Sequence, residues 1–84
     1  MREATNGLRF VFKREPSDPE LLHIYARHLT TAEEAIEAFF AGETTWNEQA
    51  HRYETFSEMH GLFWYWLDAD RVVMVVSCFR LEGT

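Results

Sequence analysis

Two apolar segments stand almost back to back in this chain, and they limit what it can fold into. Leu62-Phe63-Trp64-Tyr65-Trp66-Leu67 is followed by Asp68-Ala69-Asp70 and then by Arg71-Val72-Val73-Met74-Val75-Val76-Ser77-Cys78-Phe79. Both segments are rich in β-branched and aromatic residues and are bounded by turn formers, as strands are. Strands joined by so short a connection pair antiparallel. Alternation sends Phe63, Tyr65 and Leu67 to one side of the first strand and Leu62, Trp64 and Trp66 to the other. On the second, Val72, Met74, Val76 and Cys78 oppose Val73, Val75, Ser77 and Phe79. Both faces are apolar, so the pair belongs inside a sheet and each side asks for a cover.

The rest of the chain supplies candidates. Arg52-Tyr53-Glu54-Thr55-Phe56-Ser57 alternates as a third strand, with Met59-His60-Gly61 as the turn that follows and Thr44-Thr45-Trp46 as a short edge. Leu8-Arg9-Phe10-Val11-Phe12-Lys13 alternates with Leu8, Phe10 and Phe12 on one side, after a start at 1–7 that we expect to be disordered. Asp18-Pro19-Glu20 carries the residues of a helix start, and Leu21, Leu22, Ile24, Tyr25, His28 and Leu29 then recur at helical spacing. Thr31-Ala32-Glu33-Glu34 is a capping box that opens a second helix, and Gly42 is expected to end it in a left-handed cap. The sequence predicts a single α+β domain over residues 1–84. An N-terminal strand and a two-helix corner pack on an antiparallel three- to four-stranded meander sheet.

Composition narrows the function. The chain has 84 residues, 46% of them hydrophobic and 15% aromatic, which excludes global disorder. The net charge is −6 and unevenly spread: +3 over residues 1–14, −7 over 15–50 and −2 over 51–84. Nucleic-acid affinity rests on clustered Lys and Arg, so this balance disfavours a nucleic-acid partner and favours a basic protein segment. Cys78 stands alone, so no disulfide forms within the chain, as in a reducing compartment. The N-terminus lacks the apolar stretch of a signal peptide, and the longest apolar runs are too short to span a bilayer. We expect a cytoplasmic protein with no membrane contact.

Self-sufficient catalytic motifs do not stand out. His23 and His28 are five residues apart on one helix, where a zinc pair prefers four, so we expect no metal and no cofactor. We expect His28 to be partly buried at the corner and the other histidines to lie on the surface. Cys78 reads as an inert strand residue, and Ser57 and Ser77 lack the elbow that exposes a catalytic serine. Two surfaces invite a partner instead. With one sheet face covered by helices, we expect the face carrying Trp64, Trp66, Val73 and Val75 to stay bare and to bind, unless the N-terminal strand and the loop around Trp46 wrap over it. Glu33, Glu34 and Glu37 form either a solvated helix face or a docking surface for a basic segment.

Arg27-His28-Leu29-Thr30-Thr31-Ala32-Glu33-Glu34-Ala35, followed by Phe39 and Phe40, resembles the helix-corner signature of BrnT-type toxins. In that family a linker, a strand with Arg or Tyr near its start (here Arg52-Tyr53) and two long apolar strands ending near a serine (here Ser77) come next. The resemblance spans residue 8 to about 80. It implies a RelE/ParE-like fold, metal-independent ribonuclease activity and neutralisation by an adjacent antitoxin. The candidate catalytic residues on that reading are Arg27, His28, Arg52, Tyr53 and Arg80. The family continues past its last strand with a basic segment, where this sequence has Phe79-Arg80-Leu81-Glu82-Gly83-Thr84. From the residues we expect a non-catalytic interaction domain that forms a homodimer or binds a protein partner. A BrnT-like toxin is the alternative and an acidic nucleic-acid mimic the remote one.

Overall fold

The computed structural model describes residues 2–3 and 7–81, with the backbone alone at residues 2, 3, 69 and 70. Its elements are β1 (Arg2–Glu3), β2 (Arg9–Phe12), β3 (Arg14–Glu15), β4 (Asp18–Leu22), α1 (His23–His28), α2 (Ala32–Ala41), β5 (Glu43–Asn47), β6 (Arg52–Phe56), β7 (His60–Leu67), α3 (Asp68–Arg71) and β8 (Val72–Arg80). The fold is α+β.

The two apolar segments form the centre. β7 and β8 pair antiparallel from His60 opposite Arg80 to Leu67 opposite Val72. The ladder slips once. Phe63 faces Ser77 and Trp64 faces Val75, which leaves Val76 as the extra residue of a β-bulge. The bulge resets the alternation, so Val73, Val75 and Cys78 are all fully buried, where strict alternation separates Cys78 from the valines. β6 and β5 extend the meander beyond β7. On its other side β8 takes β2 in parallel, Arg9 opposite Val72 through Phe12 opposite Val75. A parallel pair needs a long crossover, and here the crossover contains the helices and the meander. The order is β1-β2-β8-β7-β6-β5, and β3 and β4 make a separate hairpin.

α1 and α2 pack on one sheet face. The core joins Phe10 and Phe12 of β2, Ile24 of α1, Ala32 and Ala35 of α2, and Leu62, Trp64, Val73, Val75 and Cys78 of the sheet. Phe39 of α2 closes the layer, with its ring centroid 4.8 Å from Trp64 and 5.2 Å from Phe10. The corner is pinned by Thr30, whose buried hydroxyl lies 2.8 Å from the Cys78 carbonyl oxygen and 3.1 Å from that of Ile24. The expected capping box is present: Thr31 Oγ1 accepts from the Glu34 amide at 3.1 Å, and Glu34 Oε1 accepts from the Thr31 amide at 2.9 Å.

Several expectations need correction. The first helix starts at His23; Asp18-Pro19-Glu20 lies in β4, where Asp18 Oδ1 accepts from the Glu20 amide at 3.2 Å and Leu22 pairs with Arg14. In the hairpin Glu15 is only 8% exposed, and its burial is offset by Arg27 at 3.0 Å and His23 at 3.5 Å. Gly42 is extended, at φ −90°, and the left-handed cap belongs to Leu29 at φ 56°. Gly42 is required for room, since a Cβ there would stand 2.8 Å from the Phe56 backbone. Of the start expected to be disordered, residues 1 and 4–6 lie outside the described residues, and Arg2–Glu3 pair with Phe10 and Arg9.

Candidate functional site

The structure reverses the expected use of the two sheet faces. Trp64 is 3% exposed, Val73 and Val75 are fully buried and Trp66 packs against the same core, because this is the face the helices cover. The expectation that these four residues form a bare contact surface is therefore overturned. Face choice follows volume. α2 buries Ala32, Ala35 and Ala38 and packs Ile36 and Phe39 against the same core, and the small alanine stripe leaves room for Trp64 beneath it.

The outward face carries Phe63, Tyr65 and Leu67 of β7 and Met74, Val76 and Phe79 of β8. None of the six belongs to the core, and Tyr65 is 37% exposed. Phe63 and Phe79 pack edge to face at 5.1 Å. β6 borders this strip with Arg52, Glu54 and Phe56. The Arg52 guanidinium lies over the Phe63 ring, 3.7 Å from its centroid, and meets Glu54 at 2.9 Å. Asn47 donates to the same Glu54 oxygen at 3.0 Å, and the hydrogen bonds from Asn47 and Arg52 hold that carboxyl below the usual carboxylate range. The charges at this border cancel, and the strip beside them is apolar.

The covered face ends in an aromatic row. Trp46, Tyr53, Trp64 and Trp66 follow one another across β5, β6 and β7 with ring centroids 4.8, 4.7 and 5.0 Å apart. The Trp64 indole donates to Thr55 Oγ1 at 2.8 Å, which lies 2.7 Å from Thr44 Oγ1, so the buried end of the row is hydrogen-bonded. Trp46 stays 45% exposed at its outer end.

The residues singled out by the toxin resemblance are scattered. Arg27 holds Glu15, Arg52 holds Glu54, and Arg80 approaches Glu34 at 3.9 Å. Tyr53, stacked on Trp64, points to the covered face, whereas its neighbour Arg52 points outward. His28 is exposed, not partly buried as expected, with its ring 6.0 Å from Phe79. Arg27 and Tyr53 stand apart, Arg52 and His28 flank the same Phe63–Phe79 pair, and Arg80 at the end of β8 turns to Glu34. Cys78 offers no nucleophile, because burial pushes its thiol up to about 11.

On α2, Glu33 and Glu37 are exposed, while Glu34 is partly buried in the capping box. Sequence reasoning put His60 on the surface, yet it is 9% exposed. The turn comes earlier, at Ser57–Met59, and His60 opens β7 opposite Arg80. The missed signal was Gly61, a strand glycine opposite Phe79 whose Cβ would stand 2.6 Å from the Phe79 ring, and not a turn glycine.

Comparison with known proteins finds no matching family model, no matching curated protein and no matching solved structure.

Proposed function

We propose that this chain is a protein-interaction domain that self-associates through the outward face of its sheet. One observation carries the reading: Phe63, Tyr65, Leu67, Met74, Val76 and Phe79 share a face outside the core, beside a charge-cancelled Arg52–Glu54 pair. Partly exposed apolar strips of this kind favour contact with a second surface. A second copy is the occupant that fits best. The body is acidic, and a neutral strip is where two like-charged molecules can meet with least repulsion. β7 and β8, about eight residues each at about 3.4 Å per residue and about 4.8 Å apart, with the shorter β6 beside them, give a face of roughly 350 Å². That is below the roughly 800 Å² per partner of a standard interface, so association in the micromolar range is expected. The test is sedimentation of the wild type beside a Tyr65→Ser, Met74→Ser double variant. The wild type should dimerise and the variant should stay monomeric with unchanged circular dichroism. A wild type that remains monomeric up to high concentration sinks the proposal.

A second reading, a ribonuclease toxin of the BrnT type, draws on element order. The corner, the linker, a strand and two long apolar strands follow one another as the resemblance implies. Against it stand the carboxylates facing Arg27, Arg52 and Arg80, since cations so paired are poor phosphate clamps. Purified protein is expected to leave RNA intact. Cleavage that vanishes in a folded Arg52→Ala protein would reverse the ranking.

A further inference from the structure

The outward face is apolar in the middle and charged, with opposite signs, at its two edges. Phe10 and Phe12 of β2 enter the core, so alternation turns Arg9, Val11 and Lys13 outward, and Arg9 and Lys13 are exposed. At the far edge, Glu43 of β5 pairs with Phe56 and Thr45 pairs with Glu54. Residues directly opposite each other share a face, so Glu43 and Thr45 turn outward with them. Arg52 offsets Glu54, and the exposed Glu43 is left as the net charge of that edge. On this face β2 therefore carries +2, from Arg9 and Lys13, and β5 with β6 carries −1, from Glu43, Glu54 and Arg52. Between these edges the sheet runs β2-β8-β7-β6-β5, so β7 is the middle strand of the five.

We propose that the second copy docks with its twofold axis along the strands, over β7, so that β2 of each copy lies over β5 of the other. This inference rests on the self-association reading and adds the arrangement of the pair. Two sheets packed face to face keep their strands nearly aligned. A twofold axis between them then runs either across the strands or along them. An axis across the strands stacks each strand on its own copy, so that the cationic edges carrying Arg9 and Lys13 meet and repel. An axis along β7 reverses the strand order, and the cationic edge of each copy meets the anionic edge of the other, twice in one dimer. The levels along the strands agree. Phe12 stands opposite Val75, which puts Lys13 one to two residues from Ser77, and Ser77 shares a row with Phe63, Glu54 and Thr45. Lys13 of one copy thus lands over Thr45 of the other, between Glu43 and Glu54. Stacked sheets lie about 10 Å apart, a gap that a lysine and a glutamate close together. Pairs at such a rim fix orientation more than they add affinity, and the apolar middle holds the copies together.

Lys13 is the single lysine of the chain, so zero-length carbodiimide coupling of lysine to carboxylate reads out one side chain. The full chain is coupled as an equal mixture of ordinary and isotope-labelled protein, at a concentration where sedimentation shows the dimer. The covalent dimer is then digested and mapped by mass. The expected product joins Lys13 of one copy to Glu43 or Glu54 of the other, in mixed-isotope pairs. Lys13→Gln should abolish that product and loosen the dimer about threefold, the size of two rim ion pairs. Lys13→Glu should loosen it further, and Glu43→Lys added to the same chain should restore association. A wild type that stays monomeric sinks the self-association reading and this arrangement with it. A wild-type dimer that leaves Lys13 uncoupled, or couples it to Glu33 or Glu37 of α2, overturns the strand-axis arrangement alone. So does a dimer that tightens in Lys13→Gln, because removing a lysine strengthens only a like-charged stack.

Discussion

Thr31 and Glu34 make the point that one carboxylate can close a helix end and meet neighbouring basic side chains together. Glu34 Oε1 accepts from the Thr31 amide at 2.9 Å, and that backbone bond is the main reason its carboxyl sits below the usual range, with His60 and Arg80 as smaller contributors. A folded-state pKa below the unfolded one favours the ionised form of the native state. The stability it contributes is present above the ordinary glutamate range and is lost as pH falls through the depressed folded value. Thr31→Ala removes the hydroxyl half of this arrangement, the acceptor for the Glu34 amide, keeps the backbone half, and should lower stability by about 1 kcal/mol in chemical denaturation near neutral pH. The gap between wild type and variant should narrow as the solution is acidified, because the part of it that comes from the Thr31 hydroxyl bonding ionised Glu34 is lost once Glu34 is protonated. A gap that widens in acid would mean that the Thr31 hydroxyl does not act through the Glu34 carboxylate. Thr55 has a comparable double duty, accepting from Trp64 while touching Thr44, so the aromatic row is anchored by a hydroxyl and not by apolar contact alone.

Among the elements, those with local signals were legible in sequence and those decided by competition were not. α2 was announced by its capping box, and β6, β7 and β8 by β-branched and aromatic runs, because these preferences act within a few residues. The start of α1 was misread because Asp18-Pro19-Glu20 suits a helix cap and a hairpin strand equally well. The hairpin buries Glu15, and Arg27, twelve residues away, offsets the cost of that burial, a long-range pairing that local spacing does not announce. The β8 bulge left no mark in a run of valines, yet it decides that Cys78 joins Val73 and Val75 in the core. Face choice was the consequential miss. Alternation correctly grouped Trp64 and Trp66 with Val73 and Val75, but periodicity is blind to which of two apolar faces a helix will cover. The stripe of Ala32, Ala35 and Ala38 was a partial signal, since small side chains leave room for a bulky partner between the larger Ile36 and Phe39. The candidate contact surface therefore moved to the opposite side of the same strands.

At the scale of the whole molecule, charge and apolar surface pull association in opposite directions. Each copy carries −6 near neutral pH, so two copies repel at every separation within reach of the ionic atmosphere. The outward strip contributes little to that repulsion, because Arg52 and Glu54 cancel and the six residues beside them are uncharged. Attraction at the strip comes from apolar contact, which salt does not screen. Added salt should therefore remove the repulsion and leave the attraction. The screening length falls from roughly 30 Å at 0.01 M to about 8 Å at 0.15 M. Sedimentation at those two ionic strengths should show self-association that tightens with salt, and more so for the wild type than for a variant carrying an extra positive charge far from the sheet. An interface built instead on the acidic face of α2 meeting the basic residues 9–14 of another copy would behave in the opposite way, because its attraction would be ionic and would be screened. Association that weakens as salt rises would therefore move the contact from the outward sheet face to α2.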